Sequence, residues 1–489
     1  MTANSKEPPT PILDLRDWLN MVDSLGQLET VRGADRNLEI GALCELWGSD
    51  AQALLFDDIK GYLPGRRVLT NACNSVGRLA LTVGFPPTEA RLDLVRALRG
   101  WYANRVRIPW EVVRSGPVLQ NVATGEAVDV EQFPAPIWHE HDGGPYIGTA
   151  DVVIMRDPDS GWVNAGTYRA QVYDGNTLGL VPLPGKHGRQ ILEKHWARGE
   201  ACPVAVCVGQ DPLLFLLAGM EAPAGVSELE YYGGIKGHPL EVVEGPTTGL
   251  PIPARAELVL EGEIRPNDLR SEGPFGEWSG YYVYPTSPHP VIRVTAVLHR
   301  DDPIILGGMP GPLPSDNTYF RCYFKAAALW NELEAAGVDG VRGVWQHIAG
   351  GSRLFAVISL KQLHAGHAKR AGLMATFCRS AAYTGRFTIV VDDDIDPTDT
   401  NAVLWALSTR VDPRTDIEIV HDCWGSPSDT IYYPEGGEDT ELFTSRIVID
   451  ATRPWRRRKT FPPVAAASPA LRERIHRQWA DLFARRRAT

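Results

Sequence analysis

The residues best suited to chemistry are one arginine and two glutamates, all in glycine-rich sequence. Arg169 ends the run Asn164-Ala165-Gly166-Thr167-Tyr168-Arg169, and Glu272 and Glu277 bracket Gly273-Pro274-Phe275-Gly276. A guanidinium holds a carboxylate through two parallel hydrogen bonds. Of two neighbouring carboxyls, one stays ionised while its surroundings push the other to keep a proton. The trio therefore suits an enzyme that binds a carboxylic acid and delivers a proton. A Gly/Pro loop turns both glutamates toward one pocket, as a helix or straight strand would not, and loops on a rigid scaffold tend to carry catalytic groups. Two exposed surface glutamates are the plainer alternative.

Asn164, His187 and Glu228 form a second set. An amide oxygen, an imidazole and a carboxylate are mostly hard donors, which suit Mn2+ or Mg2+ better than zinc, especially with phosphate oxygens completing the shell. The competing reading makes His187, which opens a helix after Gly185-Lys186, a surface or capping residue. His364 and His367 lack further ligands at zinc spacing and read as structural. The acidic run Asp392–Asp396 reads as a strand end and helix cap. The Gly-Thr-Tyr turn before Arg169 offers backbone N–H groups of the kind that cradle anions.

These residues need a scaffold, and the pattern predicts several units. Residues 1–115 read as an α/β unit. An amphipathic helix capped by Asp14 lies in 11–30, strands fall at Leu54–Phe56 and Val68–Thr70, and a helix spans 87–104. Residues 116–305 change to short strands between Gly/Pro turns, such as 150–155, 256–262 and 291–297, with one helix at 187–198, which suggests a β-barrel-like domain. Residues 306–452 alternate again: helix Tyr319–Ala336, strand Leu354–Leu360, helix His364–Thr384, strand Phe387–Val391, helix 399–410. Residues 453–489 are a basic linker and a terminal helix capped by Ser468 with Pro469 at its first position. Leu471, Ile475, Trp479, Leu482 and Phe483 stripe one face of it, and another subunit is the simplest partner for such a face.

Composition excludes other classes. The 489 residues are 44% hydrophobic and 22% charged, as in a soluble globular chain of two to four domains. Lys plus Arg is 49 against 60 for Asp plus Glu, a net charge of −11 that argues against nucleic-acid binding. The basic run 453–459 then reads as a solvated linker. No apolar run reaches membrane-spanning length, so no membrane association is expected. The start lacks the apolar stretch of a secretory signal, and seven dispersed cysteines fit reduced thiols in the cytoplasm.

Taken together, Asn164–Arg169, Lys186-His187, Ser227-Glu228, Glu272-Gly-Pro-Phe-Gly-Glu277-Trp-Ser-Gly-Tyr-Tyr282 and Asp392–Thr398 resemble the UbiD family of prenylated-FMN-dependent decarboxylases, from the opening helix to about residue 452. The resemblance implies a mixed α/β multidomain fold with a central split β-barrel that binds flavin, flanked by α/β domains. It implies reversible, non-oxidative loss of CO2 from an unsaturated acid through a covalent adduct with prenylated FMN. Asn164, His187 and Glu228 match the divalent metal ligands. Trp162 and Met220 match positions that give backbone oxygens to potassium. Residues 164–169, Lys186, His187, Glu228 and Arg386 match cofactor contacts. Arg169 would bind the substrate carboxylate and partner Glu272, and Glu277 would protonate the carbon. A flavin prenyltransferase would supply the cofactor, and a homodimer or higher assembly is expected. Residues 314–322 lie where family members vary the pocket. Thr318 and Cys322, four apart on a helix, would face substrate, and Asn317, Tyr319 or Arg321 would read a polar ring substituent. An aromatic or heteroaromatic acid, phenolic acids included, fits best; an acrylic-type acid is the alternative. An FMN oxidoreductase is the rival class, but no Gly-x-Gly-x-x-Gly follows a strand. A non-catalytic flavin- or metal-binding assembly protein is a further rival.

Overall fold

A computed structural model describes residues 12–88, 90–220, 222–311, 314–382, 385–426, 428–432 and 443–487. Among these residues four sheets form the frame. The largest has nine strands. Its path runs through 146–148, 170–174, 177–180, 287–299, 258–272, 202–208, 152–156 and 163–166, and strand 121–124 pairs with 287–299 off that path. Neighbours on the path are antiparallel, and the long strands 258–272 and 287–299 shift register at two places. Such bulges bend a sheet and increase its twist, curling it into the expected half-barrel. Its two faces follow the period of two: Val153 and Met155 pack in one core, Val152 and Ile154 in another.

A four-stranded sheet combines strands 28–32, 53–57 and 67–70 with 304–306, so the first unit takes its last strand from the far end of the barrel segment. The five-stranded sheet, in the order 341–346, 355–360, 387–392, 443–451 and 417–424, underlies the C-terminal part. The helix Asp316–Ala335 packs on it, with Tyr323 edge-on to Trp345 at 4.9 Å.

Several elements differ from expectation, each for a local reason. The helix expected at 87–104 begins at Arg91, because the Thr88 hydroxyl accepts from Ala90 N and turns the chain before it. The helix expected over His364–Thr384 runs His367–Phe377; residues 383–384 lie outside the described set. The middle segment holds two helices besides His187–Ala197. Pro212–Ala218 is buried on every side, so it has no amphipathic period to read. Glu228–Lys236 carries Gly233 and Gly234, where a Cβ would meet Ile108 O at 2.6 Å and Val106 O at 1.9 Å; the helix packs directly on a backbone. The terminal helix is two, Pro469–Gln478 and Ala480–Arg487, with Trp479 between them. Ser468 caps the first as expected. Asp399 caps Thr400–Arg410, and Asp392 and Asp394 both bind Arg410. No helix of the described residues is long and apolar enough to cross a membrane.

Candidate active site

Arg169 leaves the strand Val163–Gly166 where it turns into Ala170–Asp174, and Glu272 ends the long strand Leu258–Glu272. Strands 170–174 and 258–272 are separated by 177–180 and 287–299 on the path of one curled sheet, and there residues 103 positions apart in sequence meet. Arg169 Nε donates to Glu272 Oε1 at 2.9 Å and Nη2 to Glu272 Oε2 at 2.8 Å, a bidentate pair. Its third nitrogen, Nη1, donates to Glu277 Oε1 at 2.8 Å. One guanidinium therefore holds both carboxylates.

The surroundings are largely apolar. The Phe275 ring lies under the guanidinium at 5.5 Å and against Tyr146 at 3.9 Å. Tyr146 donates its hydroxyl to Glu272 Oε1 at 2.7 Å, so Glu272 has three donors. Glu277 accepts from Arg169 Nη1. Burial pushes its carboxyl above the ordinary range, against the pull of Arg169 and Arg353. Burial also works against the Arg169 charge, but Glu272 and Glu277 outweigh it and hold the guanidinium above its usual value. Gly273 has φ +85°, a left-handed conformation. Gly143 packs so closely on Gly273 that a Cβ there would stand 2.0 Å from the Gly273 carbonyl oxygen. Trp278 donates to Ser428 Oγ at 3.0 Å, tying the Glu277 loop to the C-terminal part.

The second set also gathers, in part. Asn164 Nδ2 lies 3.3 Å from both oxygens of Glu228, and Ala165 N donates to Glu228 Oε2 at 2.9 Å. Tyr168 OH contacts Asn164 Oδ1 at 3.4 Å and accepts from Gly188 N at 3.0 Å, which brings the start of the His187 helix to the same place. The His187 ring meets Trp162 edge-on at 5.0 Å. Burial pushes Glu228 up to about 7 against the hydrogen bonds from Ala165 N and Asn164. An amide oxygen, an imidazole and a carboxylate are donors that fit a divalent cation, which would hold the carboxylate ionised. A Cβ at Gly166 or Gly188 would strike the Tyr168 ring at 2.6 and 2.8 Å; glycine alone lets that ring lie against both segments.

The remaining expectations are scattered around this centre. Lys186 is exposed at the helix entry. The Trp162 carbonyl already accepts from Asp157 N at 2.8 Å, and Met220 borders residue 221, outside the described set. Arg386 pairs with the nearly buried Asp429. Thr318 is buried and closes a capping box with Ser315. Cys322 is buried in the core, its thiol donating to Thr318 O. Asn317 Nδ2 donates to Thr149 O at 3.2 Å. Tyr319 donates to Asp50 Oδ1 at 2.8 Å, which commits the hydroxyl expected to read substrate. Arg321 stacks on Phe320 at 5.3 Å. His367 accepts from Leu363 N at 3.1 Å and stacks on His364. A separate cavity of about 180 Å3, lined by Leu13, Asp211, Tyr232 and His238 among others, shares no residue with the arginine cluster.

Sequence reasoning passed over two residues. Tyr146 carries no signal beyond its type. Asp151 does: it is a carboxylate inside the buried apolar run 150–155.

Comparison with known proteins gives a consistent picture. Residues 111–313 match the 3-octaprenyl-4-hydroxybenzoate carboxy-lyase Rift-related domain, 318–451 the C-terminal domain and 19–98 the N-terminal domain of the same family, UbiD. The pyrrole-2-carboxylic acid decarboxylase of Pseudomonas aeruginosa is 33% identical over 495 residues, covering 96% of this chain and 98% of the relative. The phenolic acid decarboxylase of Streptomyces sp. (strain D7) is 32% identical, covering 90% of this chain and 92% of the relative. The UbiD-class enzyme HmfF of Pelotomaculum thermopropionicum, solved with FMN, superimposes with a TM-score of 0.83 at 31% identity, over 94% of this chain and 98% of that one. An evolved dimeric form of HmfF is solved with prFMN and matches at TM-score 0.79 and 30% identity, over 94% of this chain and 98% of that one.

Proposed function

Because the chain belongs to the UbiD family of carboxy-lyases, we propose that it decarboxylates an aromatic or heteroaromatic carboxylic acid with prenylated FMN as cofactor. Relatives named for pyrrole-2-carboxylic and phenolic acids support the substrate class. FMN and prFMN complexes of a similar enzyme support the cofactor. The observation that carries the chemistry is the single guanidinium shared by Glu272 and Glu277 in an apolar surround.

The flavin, when bound, supplies the electron sink that no side chain offers for the pair left on an sp2 carbon as CO2 departs. The chain's own residues do the rest. Arg169 binds and orients the substrate carboxylate. Glu272 takes Nε and one N–H of Nη2, and Glu277 takes one N–H of Nη1, which leaves the second N–H of each Nη group for the substrate carboxylate. Burial favours the protonated form of Glu277 against the pull of Arg169. Glu277 then delivers the proton from its carboxyl oxygen to the carbon that CO2 has left. Phe275 and Tyr146 limit the water that would compete.

Asn164, His187 and Glu228 would hold Mn2+ or Mg2+ against the flavin phosphate, with K+ at the Trp162 and Met220 carbonyls and Arg386 on the phosphate side. Ala165–Arg169 and Lys186 would line the cofactor. Arg321 would read a polar substituent of the substrate ring, and Thr318 and Cys322 would shape the pocket wall through the helix they stabilise. A flavin prenyltransferase would supply the cofactor, and the working form would be a homo-oligomer.

The test is co-expression with a flavin prenyltransferase, a cofactor spectrum, and a screen of aromatic and heteroaromatic acids for CO2 release. Release of CO2 with no change in a pyridine nucleotide is the expected result. Reduction of a pyridine nucleotide without CO2 would favour the FMN oxidoreductase instead.

A further inference from the structure

Asp151 is fully buried at the start of the strand Val152–Arg156, among Ala150, Val152, Val153 and Ile154, all 1% exposed or less. One of its oxygens, Oδ1, accepts from the Thr167 hydroxyl at 3.1 Å. The other, Oδ2, has no hydrogen-bond partner among the described residues. It fills the space above Gly148, where a Cβ would stand 2.5 Å away. Burial pushes the acid up to about 7. A buried carboxyl with an idle oxygen is costly, and an apolar side chain of similar size would serve the barrel better. Such a cost persists where the group does something the fold does not need.

What Asp151 touches indicates the task. Thr167 is half-buried, in the middle of the segment 164–169 that lines the proposed flavin site. A threonine hydroxyl has one proton and two lone pairs. With the proton turned inward to Asp151, Thr167 offers only lone pairs to the cleft. We infer that Asp151 is a positioning residue for the cofactor: it fixes the Thr167 hydroxyl as an acceptor toward the bound flavin. This rests on the flavin reading above. Asparagine at 151 keeps the acceptor for Thr167, whereas valine removes it and relieves the burial cost.

The experiment titrates FMN into the flavin-free full-length chain and compares wild type with Asp151→Val, Asp151→Asn, Thr167→Val and the Asp151→Val/Thr167→Val double variant. Affinity is read from flavin fluorescence, the environment from the visible spectrum, and stability from the flavin-free unfolding midpoint. Asp151→Val is expected to bind FMN about 10-fold more weakly, the equivalent of one hydrogen bond, with an altered visible band. Its flavin-free midpoint should equal or exceed wild type. Asp151→Asn should bind like wild type. Thr167→Val should match Asp151→Val, and the double variant should be no weaker than either. Wild-type FMN affinity in both Asp151→Val and Thr167→Val overturns the inference. So does a lower flavin-free midpoint in Asp151→Val with equal weakening in Asp151→Asn, which describes a structural residue only. Should Asp151→Val fail to fold, Thr167→Val against Asp151→Asn decides alone. If wild type binds no FMN, the flavin reading itself falls and this inference with it.

Discussion

Arg169 meets two carboxylates with three nitrogens, and the uneven split says what each partner does. Glu272 receives two of them and the Tyr146 hydroxyl, so it fixes the arginine; Glu277 receives one and is held above the ordinary carboxylate range by burial. Replacing Glu277 with glutamine keeps an acceptor for Nη1 and removes the proton. Decarboxylation should fall by roughly 100- to 10,000-fold, the span of a lost general acid, while the flavin spectrum and unfolding midpoint stay close to wild type. Full turnover in that variant would remove Glu277 from the mechanism. The sign of the pH effect follows from the direction of the shift. A raised value keeps Glu277 protonated to higher pH, so turnover should decline only as pH rises through that value, and turnover remaining in the glutamine variant should lack this alkaline limb. Arg169→Ala is different in kind. It leaves Glu272, whose side chain is fully buried, without its cation, and breaking a buried pair costs about 3–5 kcal/mol. The variant should lose turnover and melt lower, as differential scanning calorimetry would read.

At the scale of elements, the site depends on how closely loops approach. The loop 138–145 and the loop 273–282 touch through Gly143 and Gly273, with Gly143 N donating to Pro274 O at 2.8 Å. Gly143→Ala would drive a methyl group into the Gly273 carbonyl, and overpacking of this kind costs about 1–3 kcal/mol. The expected outcome is a shifted Glu272–Glu277 loop and at least a tenfold fall in turnover, with Asp399→Ala as the control: it costs about 1 kcal/mol at a remote helix cap and leaves kcat unchanged. Arg169, Glu272 and Glu277 stood out in the sequence because they are charges set in glycine-rich runs; Asn164, His187 and Glu228 were joined as candidate ligands by the family resemblance, because an amide and two helix-opening residues form no local pattern. Tyr146 and Gly143 were not, because their importance lies in contacts made across the sheet. Pro212–Ala218 escaped for a related reason: periodicity reveals a helix only when one face meets water.

Across the whole molecule, the order of α/β, barrel and α/β segments could be read from the alternation of turns and apolar runs, but the closure of the first sheet by Ile304–Leu306 could not. That strand pairs in parallel with Arg67–Thr70 more than two hundred residues away, and no local pattern encodes such a partner. The C-terminal end poses the opposite case. Its cap was evident, yet its helices have no core of their own: Leu471 is 37%, Trp479 51% and Leu482 51% exposed. Apolar side chains spread at this exposure over two short helices and the residue between them suit burial against another chain, and a second copy brings an identical surface, the commonest arrangement in symmetric dimers. The full chain should therefore run in light scattering at no less than twice its 53.8 kDa mass. Trp479→Glu combined with Leu482→Glu should shift it toward one copy while the far-UV spectrum is kept, since both side chains already lie at the surface. A wild-type chain that runs at 53.8 kDa across the micromolar range, or a double variant that assembles unchanged, would mean that this face is covered by something other than a second copy.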